Sequence, residues 1–125
     1  MKFEYRNGLL FTTIILSYEG RTKTIENIVI DTGASHTLIS QDAVDELGIR
    51  VRAGDEIFTS FGIGGEEHSN MKKVDFIQVA DFKLERAAID FMSVPYDHIN
   101  GLLGLDILLQ GKFNIDLYTL ELRLQ

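Results

Sequence analysis

The stretch from Ile28 to Gly33 constrains this chain more than any other. Three β-branched residues, Ile28-Val29-Ile30, end abruptly in Asp31-Thr32-Gly33. Such an apolar run is typical of a buried strand. Gly33 allows a tight backbone turn, and the hydroxyl of Thr32 can fasten that turn through a local hydrogen bond. The sequence therefore predicts an acid, Asp31, at the end of a rigid apolar strand, where an unused carboxylate costs free energy.

The same tripeptide also has an ordinary explanation. Asp, Thr and Gly are common turn formers, and a strand that ends in them is normal loop chemistry. Taken by itself, the tripeptide leaves a structural turn and a functional acid as open alternatives. The apolar run before it and two later segments favour the functional acid.

Composition indicates a single domain over residues 1–125. The chain has one proline, 45% hydrophobic and 25% charged residues, which is the profile of a globular protein with a sizeable core. No apolar run is long enough to span a membrane, so we expect no membrane partner and, by default, a cytoplasmic location. A formal charge of −7 argues against nucleic acid, because phosphate binding needs clustered Lys and Arg.

No metal site is expected. Cysteine is absent, which excludes disulfides and thiolate ligands. The histidines, His36, His68 and His98, are not at metal-ligand spacing and are better explained as surface or hydrogen-bonding residues. A phosphate-binding loop at 62–65 is disfavoured, because the Gly-Lys-Ser/Thr ending of such loops is missing.

Strand patterns dominate the rest of the chain. Alternation and turn residues predict strands over 9–18, 22–30, 37–39, 56–61, 73–80, 84–91, 113–117 and 120–124. Ser40 is expected to cap a short helix that Gly48 ends, and Gly111 is expected to end a second. Asp106 is expected to cap or support that second helix rather than to act in catalysis. These elements predict a mostly β, barrel-like domain.

Three segments together carry a resemblance to a known family. They are Asp31-Thr32-Gly33-Ala34, the glycine-rich Gly62-Ile63-Gly64-Gly65, and Leu102-Leu103-Gly104. In this order they resemble the retropepsin-like, or retroviral-type, aspartic proteases, and the resemblance spans residues 9–109. It implies a mainly β, closed barrel-like acid protease fold with a flap hairpin and two short helices.

The resemblance also implies roles for individual residues. Asp31 would be the catalytic carboxylate, with Thr32 and Gly33 forming its turn. Two chains would pair as a homodimer, and water held between their two Asp31 side chains would hydrolyse a peptide bond without any cofactor. Residues 57–69 would form the flap, and Leu102, Leu103 and Gly104 would support the Asp31 loop. Substrate would contact Ala34, Ser35, Gly62, Ile63, Gly64 and Gly65.

The chain departs from the retroviral pattern at two positions. Ser35 and Leu105 stand where the retroviral enzymes commonly have an Asp and an Arg, so that ion pair is absent. The chain also ends in a longer hairpin, Phe113 to Leu124, which leaves the mode of pairing open. These departures keep one alternative in view, a binding or dimerisation module with this fold and little or no peptidase activity.

Overall fold

The computed structural model describes residues 1–49, 56–62 and 65–124, and within them the side chains of residues 1–49 and 70–124. A 3₁₀ helix (Asp42–Leu47) and one α-helix, α1 (Leu105–Gln110), accompany a large set of strands in these ranges. The strands are β1 (Glu4–Arg6), β2 (Leu9–Tyr18), β3 (Arg21–Ile30), β4 (Leu38–Ser40), β5 (Glu56–Gly62), β6 (Gly65–Lys73), β7 (Phe76–Val79), β8 (Phe82–Glu85), β9 (Ala88–Met92), β10 (Gly101–Leu103), β11 (Phe113–Asp116) and β12 (Glu121–Leu124).

Most of these strands belong to one sheet. Its order is β5-β6-β9-β4-β10-β3-β2-β7-β8, and β1 also pairs with β2. The sheet curls into a half-barrel, as the right-handed twist of neighbouring strands favours. β11 and β12 form a separate hairpin. The predicted mainly β, barrel-like fold with two short helices is confirmed.

Strand β10 lies between β3 and β4. It runs parallel to β3, pairing Leu103 with Ile30, and antiparallel to β4, pairing Leu102 with Leu38. Because β3 and β10 are parallel, they end at the same edge of the sheet. The loop after β3 therefore lies beside the start of α1, which follows β10.

The register sorts the side chains of this part of the sheet into two rows, because directly opposite residues point to the same face. One row is fully buried and faces the core: Asn70, Phe91, Ile39, Ile28 and Thr12. The other row, called the open face below, contains Met71, Asp90, Leu38, Leu102, Val29 and Phe11. The first four residues of this row are half-buried. Asp31 comes two residues after Val29, so its side chain is expected on the same face.

Some local predictions were wrong. Ser40 does not cap the first helix, because it is the last residue of β4, and Gln41 precedes the helix without a side-chain cap hydrogen bond. Lys73 ends β6 instead of starting a strand. The strand predicted over 84–91 is divided into β8 and β9 near Arg86, whose φ of 55° is left-handed. Alternation of apolar residues does not reveal a left-handed arginine. Gly48 ends the first helix as predicted, with a φ of 79°.

The N-terminal residues pair with the C-terminal hairpin. The Phe3 N–H donates to the Leu120 carbonyl oxygen at 2.9 Å, and the Leu122 N–H donates to the Met1 carbonyl oxygen at 2.8 Å. The first three residues therefore lie along β12, and the N-terminal segment and the C-terminal hairpin are hydrogen-bonded to each other within one molecule. Among the residues described, no helix has the length and apolar character needed to cross a membrane.

Candidate active site

Asp31 lies immediately after β3, at the edge where β10 also ends. Its backbone N–H donates to the Leu103 carbonyl oxygen at 2.9 Å, one step beyond the pair formed by Ile30 and Leu103. The residue is half-buried, whereas Thr32 and Gly33 are exposed. The carboxylate therefore stands at the end of a buried strand, which is where the sequence places it.

The turn after Asp31 is closed by backbone donors. The Gly33 N–H donates to Oδ1 of Asp31 at 2.9 Å, and the Ala34 N–H donates to the Asp31 carbonyl oxygen at 3.2 Å. The Gly33 bond restrains the orientation of the Asp31 carboxylate, and the Ala34 bond closes the backbone turn. The Thr32 hydroxyl does not fasten the turn, since it makes no hydrogen bond within the described ranges. Thr32 is exposed.

The far end of the same loop is fixed to α1 by Asp106. Its carboxylate accepts hydrogen bonds from the Thr37 backbone N–H at 2.9 Å and the Thr37 hydroxyl at 2.7 Å. The hydroxyl oxygen of Thr37 in turn accepts from the Gly104 N–H at 3.0 Å. Thr37 is 1% exposed, so this network replaces water for the buried polar groups. Asp106 thus supports the loop, while the position before α1 is taken by Gly104.

Gly104 allows the loop and the helix to approach closely. A Cβ at this position would lie 2.7 Å from the His36 carbonyl carbon and 2.9 Å from the Ala34 carbonyl oxygen. Such distances are too short for a side chain, and the neighbours are backbone atoms that cannot simply move aside. The expected support of the Asp31 loop by the segment that ends in Gly104 is therefore present in the structure.

Main-chain hydrogen bonds join the loop to α1 at the positions where the retroviral ion pair is missing. The Leu105 N–H donates to the Ala34 carbonyl oxygen at 2.8 Å, and the Asp106 N–H donates to the Ser35 carbonyl oxygen at 3.2 Å. The Ser35 hydroxyl lies 2.9 Å from Nδ1 of His36, and both residues are exposed. The loop is therefore held without the ion pair.

The hairpin predicted as the flap is formed by β5 and β6. Its ladder runs from the pair Glu56–Met71 to the pair Gly62–Gly65. Ile63 and Gly64, the rest of the predicted tip, lie outside the described residues. At its base, β6 pairs with β9 and places Met71 opposite Asp90. The hairpin therefore rises from one end of the open face.

Two cavities adjoin the open face, one toward each end. The first, called the polar cavity below, has a volume of about 370 Å³ and includes Met71, His36, Glu85, Arg86, Asp106 and Gln110 in its lining. The second, called the apolar cavity, has a volume of about 320 Å³ and includes Leu9, Phe11, Pro95, Tyr96 and Ile99. Asp31 stands in the part of the sheet between them, because β3 lies between β2 and the strands β4, β9 and β6.

Asp90 and Thr37 are residues of this region that the sequence did not single out. Oδ1 of Asp90 is covered and, among the residues that the structure describes, has no hydrogen-bond partner. Burial raises the pKa of Asp90, the nearby His36 acts to lower it, and the Asp106 carboxylate raises it. Both residues acquire their surroundings from segments that are distant in the sequence, so no local motif marks them. In the part of the chain that the structure describes, no three acidic or histidine side chains are grouped to hold a metal ion.

Comparison with known proteins identifies the family. A family model described as Aspartyl protease matches residues 15–107, which include Asp31 and Gly104, so the chain belongs to this family. The solved structures that match include a retropepsin-like aspartic protease from Rickettsia conorii. That match has a TM-score of 0.67 and 16% identity, and it covers 92% of this chain and 82% of the other. The retropepsin-like fold predicted from the motifs is confirmed. A search of curated proteins finds no match.

Proposed function

We propose that this chain is an aspartic endopeptidase that acts as a homodimer, with one Asp31 carboxylate from each chain in a shared site. The observation that carries the proposal is the placement of Asp31, held by Leu103 and Gly33 at the end of a buried strand in a chain of the aspartyl protease family. The Asp-Thr-Gly turn occurs once in the sequence. Two-fold pairing is the direct way to bring two such carboxylates together.

The chemistry requires only the two carboxylates and water. Carboxylates about 3 Å apart do not both ionise easily, and so they share one proton. The ionised member takes a proton from a bound water, whose oxygen attacks the carbonyl carbon of the peptide bond, while the protonated member donates to the carbonyl oxygen. Transfer of a proton to the peptide nitrogen then breaks the C–N bond and releases an acid and an amine.

The open face offers a place for the substrate on either side of Asp31. The apolar cavity, with Leu9, Phe11 and Pro95 in its lining, suits an apolar side chain. The hairpin of β5 and β6 rises from the opposite end of this face and is positioned to cover an extended peptide. The exposed Thr32 hydroxyl is available to the partner chain.

One observation favours a second candidate, a binding or dimerisation module of the same fold. Ser35 and Leu105 lack the charges of the retroviral pattern, and the loop is held by main-chain bonds instead. A fold can be retained while its chemistry is lost. The two candidates differ in whether Asp31 is required for anything beyond folding.

The test compares the wild-type chain with Asp31→Asn on a mixture of unfolded proteins, over a dilution series at mildly acidic pH. The amide cannot act as the base, so the variant is expected to fold and dimerise but not to cleave. Wild-type cleavage per chain is expected to fall on dilution. Asp81→Asn, in the exposed turn between β7 and β8, is a matched control that should cleave normally. Cleavage by a strictly monomeric species at full rate would contradict the paired-carboxylate mechanism. No cleavage from well-folded dimers would favour the binding module.

A further inference from the structure

We propose that Asp90 forms the floor of a substrate subsite that accepts a basic side chain, lysine or arginine, within a few residues of the scissile bond. The inference rests on the proposed peptidase function and adds to it the class of side chain that the polar end of the open face selects.

The register of the sheet places Asp90 on the same face as Asp31. Asp90 is directly opposite Leu38, Leu38 is opposite Leu102, and Leu102 is opposite Val29. Opposite residues share a face, and Val29 is two residues before Asp31. A peptide that lies over the Asp31 carboxylate and extends toward the hairpin therefore passes over Asp90.

Within the described part of the chain, the carboxylate of Asp90 lacks a partner of its own. Oδ1 is covered and unpaired, and the side chain makes no hydrogen bond or ion pair within the described residues. Removing a carboxylate oxygen from water without a partner costs free energy, and a bound donor would offset that cost. Oδ1 itself is covered, but the residue as a whole is half-buried, so a cation can approach its uncovered part from the open face and offset the charge of the whole carboxylate. The partner that the Asp90 carboxylate lacks is a hydrogen-bond donor, and a positively charged donor would stabilise it most.

The surrounding charges favour a cation. The polar cavity is lined by Met71, which lies opposite Asp90, and by the carboxylates of Glu85 and Asp106 and the guanidinium of Arg86. With Asp90 there are three carboxylates, against the guanidinium of Arg86, the imidazole of His36 and Lys73, which is paired with the lining residue Ala88 on the same face as Asp90. The Asp106 carboxylate already accepts hydrogen bonds from Thr37, whereas Asp90 has no such donor within the described residues. The excess negative charge attracts lysine and arginine and repels acidic side chains.

The distance suits a substrate side chain near the cleaved bond. Asp90 and the β3 strand are separated by β10 and β4, and three inter-strand spacings amount to about 14 Å. An extended peptide rises about 3.3 Å per residue, so about four residues cover this distance, and fewer are needed because a long lysine or arginine side chain spans part of it. The basic residue is therefore expected roughly two to four residues from the scissile bond. In a two-fold symmetric dimer the subsite occurs on both sides of that bond.

Cleavage profiling tests this directly. The wild-type chain, Asp90→Asn and the control Asp81→Asn are incubated with a proteome-derived peptide library whose internal lysines and arginines are intact. Wild type and control are expected to enrich a basic residue at one of these positions. In the nearly isosteric Asp90→Asn variant, the ratio of kcat/KM for a lysine peptide over its norleucine counterpart is expected to fall about tenfold. An unchanged ratio, or no basic preference in the wild type, would overturn the proposal.

Binding separates this inference from the peptidase function. If no variant cleaves, the proposed function fails, and the same lysine and norleucine peptides are tested for binding to the wild type and Asp90→Asn by fluorescence polarisation. Tighter binding of the lysine peptide that is lost in Asp90→Asn would support the subsite in a protein without catalysis. Equal binding of both peptides to the two proteins would overturn it.

Discussion

The carboxylate of Asp106 accepts two hydrogen bonds from one residue, Thr37, at 2.9 Å from the backbone N–H and 2.7 Å from the hydroxyl. The two residues are 69 positions apart in the chain. This contact joins the end of the Asp31 loop to the first turn of α1. Because Thr37 is buried and also accepts from the Gly104 N–H, the contact restrains three backbone segments at once. Loss of the contact is therefore expected to displace the loop that carries Asp31.

Replacing Asp106 is expected to destabilise the fold and reduce cleavage together. Asp106→Ala leaves the buried Thr37 N–H without an acceptor, at an expected cost of about 2–4 kcal/mol in the free energy of unfolding. Urea unfolding measures the stability, and kcat/KM for any cleaved peptide measures the effect on the loop. Asp81→Ala removes an exposed acid of the same type and should leave both values nearly unchanged. Full stability in Asp106→Ala would show that the network contributes little.

A methyl group at Gly104 is expected to disrupt the loop by direct overlap. In Gly104→Ala the Cβ would lie 2.7–2.9 Å from backbone atoms of His36 and Ala34, so loop and helix must separate. The free energy of unfolding is expected to fall by about 3 kcal/mol, and cleavage is expected to be lost.

Gly8→Ala serves as the comparison for Gly104→Ala. That site has open space but a φ of 80°, so only the backbone penalty of about 1–2 kcal/mol applies. If Gly104→Ala cost no more than Gly8→Ala and cleaved normally, close packing at Gly104 would not be what positions the loop.

Mixed dimers are expected to be inactive, because in the proposed mechanism each site needs two Asp31 carboxylates. When wild type and an equal amount of Asp31→Asn exchange chains freely, random pairing leaves about half of the wild-type chains in active homodimers. Cleavage should therefore fall by about half when inactive chains are added at constant wild-type concentration. The control is an equal amount of Asp31→Asn that is prevented from exchanging by chemical cross-linking beforehand. Unchanged cleavage after free exchange would argue that one carboxylate suffices.

The fold and the position of Asp31 could be predicted because their signals are local. Ile28-Val29-Ile30 specify a strand, and Asp31-Thr32-Gly33 specify how it ends. Gly104 could be predicted to support the loop only through the resemblance to a family, since nothing in Leu102-Leu103-Gly104 itself indicates which backbone it approaches.

The polar network and Asp90 could not be predicted, because they depend on long-range register. Asp90 reaches the open face only because β9 pairs in parallel with β4 at Leu38, and a shift by one residue would turn it into the core. The division between β8 and β9 also lies near Arg86, whose left-handed backbone has no marker in the sequence. Thr37 likewise appears as an ordinary loop threonine until α1 is placed beside it.

Asp90→Asn is expected to stabilise the protein at neutral pH. Burial raises the pKa of Asp90, so above that raised pKa the folded protein bears the cost of a charged, partly buried carboxylate. Below the ordinary aspartate pKa of 3.8 the carboxyl is protonated whether folded or unfolded, and the cost disappears. The variant should melt roughly 1–3 °C above the wild type at pH 7, and the difference should shrink as the pH falls through the raised pKa toward 3.8. A gain of equal size at pH 3 would point to packing instead of charge.

Asp75→Asn is expected to change stability in the opposite direction from Asp90→Asn, and so to destabilise the protein at neutral pH. The backbone N–H of Gly20, at 2.9 Å, and the Ser17 hydroxyl, at 3.1 Å, donate to Asp75, and they lower its pKa despite some desolvation. The ionised Asp75 therefore stabilises the fold above pH 3.8, and this contribution is lost as the pH falls through the lowered pKa. Thermal melts should show the variant less stable than the wild type at pH 7, with the difference closing in acid. If both variants shifted in the same direction at pH 7, surface charge as a whole, rather than the surroundings of each carboxylate, would govern stability.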